Sequence, residues 1–161
     1  MYKLKGTVTV TARSSIHDSR AVWDRLTGEA NIDGDALEAA TASIRVDMTS
    51  FDAGDWLKNR RIRNDFELDR NPKATFELSR MTNLKRSGNQ FEATAAGTLQ
   101  WRGVTIPLEV AGTGTLDAQN LSAEATFALD VTQFGVKPPK LLMFKVDDVV
   151  TVQIAMTGVA P

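Results

Sequence analysis

The sequence predicts an all-β protein, an antiparallel barrel of about eight strands with one short covering helix. Three observations carry this expectation. Apolar and polar residues alternate with period 2 over most of the chain, the pattern of strands with one buried face. Turn-forming groups such as Asp33-Gly34-Asp35, Ser87-Gly88-Asn89, Arg102-Gly103 and Asp117-Ala118-Gln119-Asn120 interrupt that alternation at short intervals. After residue 72 no helical stretch separates the strands, so their connections read as hairpins and the sheet as antiparallel.

Taken in order, Val8 and Val10 alternate with Thr7, Thr9 and Thr11 and mark a first strand. Residues 26–32 form the second, ended by the Asp-Gly-Asp turn. In the third, Ile44, Val46 and Met48 alternate with Arg45 and Asp47. Between residues 54 and 66 the alternation fails and the interior lacks Gly and Pro, so a short helix is expected there. Strand periodicity returns past Asn71-Pro72 in Phe76 and Leu78, then over residues 91–101, 105–110, 121–131 and 149–159.

Strands of this kind either pack against a second sheet or close on themselves. The inward face of one strand reads Phe91, Ala93, Ala95, Gly97, Leu99, Trp101, and that of another Leu121, Ala123, Ala125, Phe127, Leu129, Val131. Alanines stand where bulk is needed to fill a core at crystal-like density. An eight-stranded barrel is just wide enough to be filled by side chains or to hold one small ligand, and small inward residues favour the ligand. The other filling, with Phe76, Ile154 and Met156 occupying the space above the alanines, stays open at this point.

Composition narrows the function more than it names it. The 161 residues are expected to form one domain over 1–161; 19 basic against 20 acidic residues leave no basic field for nucleic acid. With no cysteine and the single histidine His17, no His- or Cys-based metal site or thiol chemistry can be assembled. Ser14 and Ser15 beside His17 do not make a triad, because neighbours in an extended strand point to opposite faces. Asp33-Gly34-Asp35 and Asp147-Asp148 read as turns, since neither has the ligand spacing of a calcium loop. The expectation is therefore no enzyme, no metal and no cofactor. No apolar run reaches the ~18 residues of a spanning helix. The start of the chain lacks a signal-peptide core, so a cytoplasmic protein is expected unless the chain is a processed periplasmic form.

Lys58, Arg60, Arg61 and Arg63 are the sharpest local charge and suit a phosphorylated head group. At about 100° per residue they spread around the helix, so at most two converge on one phosphate. The long connection from Phe134 ends in Leu141-Leu142-Met143-Phe144, an apolar run that must be buried, bind something or act as a gate, with Pro138-Pro139 stiffening its hinge.

Three stretches resemble a known family: 64–76 (NDFELDRNPKATF), 97–108 (GTLQWRGVTIPL) and 134–139 (FGVKPP). The second, a Gly-x-Leu-x-x-x-Gly-Val-Thr-x-Pro hairpin, is the most specific. In order and spacing they resemble the YceI-like, lipocalin-like polyisoprenoid-binding proteins over nearly the whole chain. Two features depart from that pattern: the stretch from Asp65 to Pro72 is a residue short, and Asn71 replaces a common aromatic.

The resemblance implies a lipocalin-like barrel that binds, stores or transports a polyisoprenoid, an isoprenoid quinone or a fatty amphiphile without catalysis, as a possible homodimer. The alternative expectation is a structural or stress-response barrel acting through protein contacts. The residues expected to line the lumen are Ile44, Val46, Trp56, Phe66, Phe76, Leu78, Phe91, Ala93, Ala95, Leu99, Trp101, Ala125, Phe127, Leu129, Phe134, Met143, Phe144, Ile154 and Met156. Arg60, Arg61 and Arg63 are expected at the head group.

Overall fold

Eight long strands pair edge to edge until the last meets the first. The computed structural model describes residues 1–13, 18–136 and 148–161, with the backbone of 140–141 and 144–145. Its strands are β1 (Tyr2–Ala12), β2 (Ser19–Asn31), β3 (Thr41–Asp47), β4 (Phe51–Asp52), β5 (Lys73–Ser87), β6 (Gln90–Trp101), β7 (Val104–Leu116), β8 (Asn120–Asp130), β9 (Lys140–Leu141), β10 (Phe144–Lys145) and β11 (Val149–Val159). Around the barrel they run β1-β11-β8-β7-β6-β5-β3-β2, closed by antiparallel pairing of β1 with β2. Every pairing is antiparallel; β4 adds two residues to β2, while β9 and β10 form a small hairpin of their own.

All eight expected barrel strands are present, and several are longer than the alternation shows. β2 starts at Ser19 because a bulge hides its first half: the register with β1 passes from Gly6↔Leu26 to Val8↔Trp23. Asp24 and Arg25 are therefore both exposed, and the inward positions on either side of them fall out of phase. In β5 the register slips between Leu78 and Arg80 and again between Thr82 and Lys85, where Asn83 has φ 52°. Only Phe76 and Leu78, before the first slip, keep a readable period.

The expected helix is α1 (Trp56–Asp65). Asp55 caps it by accepting the Lys58 N–H at 2.8 Å, and the Asn59 side chain ties its inner face to the barrel by accepting the Ala53 N–H at 2.6 Å. None of its residues is fully buried; Ile62 touches the core, and Phe66, just past its end, packs there too. The helix lies across one end of the barrel.

Bulk gathers at the two barrel ends. At the α1 end Trp23, Phe51, Leu68, Trp101, Phe134 and Val136 pack together; at the far end Tyr2, Leu4, Leu37, Phe91, Leu116 and Leu121 do the same. The polar atoms of the ring residues reach rim carbonyls: Trp23 Nε1 donates to Met48 O (3.0 Å), Trp101 Nε1 to Asn71 O (3.3 Å) and Tyr2 Oη to Asp117 O (2.8 Å). Among the described residues no polar or charged residue is buried.

Candidate functional site

Between the two end clusters the barrel encloses a cavity of about 280 Å³. Its wall is built by the inward positions of all eight strands, since in each strand alternate residues face the axis. At mid-height several of those positions are small: Ala95, Gly112, Ala123 and Ala125, with Ala42 closer to the far end. Gly97 lies under the Phe76 ring, so closely that a Cβ there would stand 2.0 Å from the Glu77 carbonyl oxygen and 2.9 Å from Phe76 Cζ. Small residues thus keep the tube open where two large facing residues would fill it.

At the α1 end the wall is aromatic. Phe66 meets Trp101 edge-on (centroids 6.1 Å, 84°), and Phe134 tilts against the other side of Trp101 at 5.6 Å. Arg102 fixes this arrangement. It donates from Nε to Phe134 O at 3.0 Å and from Nη1 to Phe66 O at 2.5 Å. The two backbone segments that carry the aromatics are thereby tied to the β6–β7 turn.

The structure brings most of the expected lumen residues to this wall. Ile44, Val46, Phe66, Phe76, Leu78, Phe91, Ala93, Ala95, Leu99, Trp101, Ala125, Phe127, Leu129, Phe134, Ile154 and Met156 all line the cavity. Trp56 is a correction: it is the first residue of α1 and 72% exposed, outside the barrel, because the half-buried side of the helix is set by Asn59 and Ile62 instead. Met143 and the Phe144 side chain lie outside the described residues, as do His17, Asp147 and Pro138-Pro139. Of the apolar connection, Phe134 and Val136 are buried at the barrel end.

The three arginines differ in their surroundings. Arg60 is exposed, Arg61 is half-buried, and Arg63 lies over the Phe51 ring with Asp69 at 3.8 Å from its Nε. Sequence reasoning missed Trp23, Leu26, Leu37, Met81, Leu108 and Val152 on the wall. The β2 bulge hides Trp23 and the first β5 slip hides Met81; Leu37 comes from a single 3-10 turn, Leu37–Ala39, which has no period to read. Leu108 and Val152 carried a usable signal, since each alternates within an expected strand.

The described titratable groups with shifted values lie outside the cavity. Glu29 sits below the usual carboxylate range because Arg45 donates to both its oxygens, at 2.6 and 3.0 Å, and the same contact raises Arg45. Asp47 is lowered by the Thr49 hydroxyl and N–H, Asp52 chiefly by the Gly54 N–H, and Asp117 by the Gln119 and Asn120 N–H groups. None of these four lines the cavity. Among the described residues the only polar ones that touch it are Thr113 and Glu124, at one margin. Among the described residues no cluster of three His, Cys, Asp or Glu could hold a metal, and no described helix is long and apolar enough to cross a membrane. The site can exclude water from an apolar ligand and offers it little else.

Comparison with known proteins fits this geometry. A family model described as YceI-like domain matches residues 3–158. Among solved structures, Burkholderia cenocepacia BcnA superposes with a TM-score of 0.79 at 20% identity, over 94% of this chain and 95% of that one. A polyisoprenoid-binding domain from Saccharophagus degradans, implicated in plant cell wall breakdown, gives 0.78 at 17% identity over 99% and 98%. The YceI protein of Campylobacter jejuni gives 0.68 at 12% identity over 88% and 84%. Comparison with curated protein sequences returns no match.

Proposed function

The chain belongs to the YceI-like domain family, and on that premise we propose that its lumen holds the tail of a polyisoprenoid, an isoprenoid quinone or a similar long amphiphile, for storage or transport and without catalysis. The observation that carries this reading is an apolar cavity of about 280 Å³ lying between two packed ends. A ligand-free structural barrel needs a filled interior, and the small mid-height residues leave this one open. The volume stands at the lower edge of the roughly 300–1,000 Å³ usual for ligand sites, which suits a slender tail. Desolvation drives binding, at about 25 cal/mol per Å² of apolar surface removed from water. The polyisoprenoid-binding neighbour supports the ligand class.

A head group without charge fits best. Strands β6, β7, β8 and β11, which form half of the wall, contain no Lys or Arg. The test is a fluorescence titration with a dansylated prenol. Ala95→Phe and Ala125→Phe fill the lumen and are expected to weaken binding at least tenfold while the β-type circular dichroism spectrum is kept. Unchanged affinity in both well-folded variants would place the ligand elsewhere.

A further inference from the structure

The seam between β7 and β8 is paired over only part of its length. The ladder between β7 and β8 runs from Leu116↔Leu121 to Gly112↔Ala125 and stops there, although β7 continues back to Val104 and β8 on to Asp130. The β2–β3 and β3–β5 seams are also short, at six rungs each, but β4 extends the pairing of β2 and the 3-10 turn Leu37–Ala39 packs against β5. The remaining seams are paired over nine rungs or more. Residues 104–111 of β7 are paired to β6 alone, and 126–130 of β8 to β11 alone.

The backbone shows which groups face the opening. The β6–β7 turn has two residues, Arg102 and Gly103, with φ of 54° and 74°, the two-residue hairpin whose closing pair, Trp101 and Val104, is hydrogen-bonded. Ile106, Leu108 and Val110 then bond back to β6, while Thr105, Pro107, Glu109 and Ala111 turn their backbone groups toward β8. These four, and Thr126 and Ala128 across the gap, are all exposed. Pro107 has no N–H, so at that rung β7 has no donor to offer β8.

The cavity reaches this opening. Thr113 and Glu124 are paired with each other next to the last rung and are exposed, yet both touch the cavity. The lumen therefore meets the outer surface beside Gly112 and Ala125, where the ladder ends. Above, the gap is bridged: the 3-10 turn Val131–Phe134 follows β8, and Arg102 on the β6–β7 turn holds its Phe134 carbonyl. Among the described residues the result is a bounded window in the side of the barrel.

We propose that this window between β7 and β8 is the doorway through which an uncharged amphiphile slides into and out of the lumen. The doorway rests on the binding reading above and adds its route: lateral passage needs only the parting of two unpaired edges, whereas passage along the axis at the far end must displace the buried Tyr2 and Leu37. A lateral gap also lets the head stay in water while the tail is inserted.

The test joins the two edges. Continuing the register of Gly112↔Ala125 places Glu109 opposite Ala128, and the chain has no other cysteine to interfere. Glu109→Cys with Ala128→Cys is bridged by a short bis-maleimide, and the control bridge joins Ala128→Cys to Thr151→Cys across the paired β8–β11 seam. Loading and release of a dansylated prenol are followed by stopped flow. Closing the window is expected to slow both rates at least tenfold with the equilibrium affinity unchanged, and the control bridge to alter neither. Equal rates before and after bridging the window would overturn the doorway while leaving the binding reading in place. Failure of the unbridged protein to take up the prenol at all would overturn both.

Discussion

Single residues set how the cavity is bounded. Arg102 is 14% exposed and joins the β6–β7 turn to the residues after α1 and to the 131–134 turn through two carbonyls. Removing it leaves both acceptors short of a partner, at a cost of about 1–3 kcal/mol. Arg102→Ala is expected to lower the melting temperature measurably, and Arg102→Lys to restore little, because one ammonium cannot reproduce the forked contact. Neither Arg102 nor the Gly97–Phe76 contact could be read from the sequence, since both depend on residues brought together from distant strands. The inward alanines could be read, because alternation within one strand assigns them. Titration belongs to this scale too. The lowered Glu29, Asp47, Asp52 and Asp117 contribute stability that is complete above their ordinary range near pH 4 and is lost as pH falls through their lowered values. Thermal stability is expected to hold flat down to about pH 5 and to fall only in acid. Affinity for an uncharged prenol is expected to be unchanged as the lowered Glu29, Asp47, Asp52 and Asp117 take up protons, since none of them lines the cavity.

At the scale of elements, each strand was legible where its period ran unbroken. β8 pairs with β7 and β11 without a shift, and its inward face, Leu121 to Leu129, lines the cavity as the alternation has it. In β6 the same holds for Phe91, Ala93, Ala95, Leu99 and Trp101, whereas Gly97 lies under Phe76 and Ala96 is buried on the other face. β2 and β5 were legible only on one side of a bulge, because one extra residue shifts every later side chain to the other face. The helix was legible as an interruption of strand periodicity, but its orientation was not, and so Trp56 was assigned to the lumen. Its charged residues surround the axis, leaving Asn59 and Ile62 to choose the inner side. The half-paired seam had one local mark, Pro107, which shows that β7 is an edge there without saying against what. Hydrogen exchange tests the seam independently of any ligand. Amides of Glu109, Ala111, Thr126 and Ala128 are expected to exchange fast, while those of Leu108 and Val110, bonded to β6, stay protected. Equal protection of both sets would mean the ladder is closed.

For the whole molecule, pairing of the last strand with the first closes the barrel, and packing at both ends leaves an apolar tube between them. The legible part of the site was its apolar lining; its volume and its side opening required the closed barrel. Each buried methylene contributes roughly 0.8 kcal/mol, so affinity is expected to climb through a series of lengthening prenols and level off once the tube is full. The central claim is that the tube carries a lipid tail. Mass spectrometry of a solvent extract from the purified, unheated protein tests this most directly. The expected result is an isoprenoid or comparable amphiphile near one per molecule, or stoichiometric uptake when the stripped protein is offered a prenol. Protein that is lipid-free as isolated and takes up no prenol would contradict it.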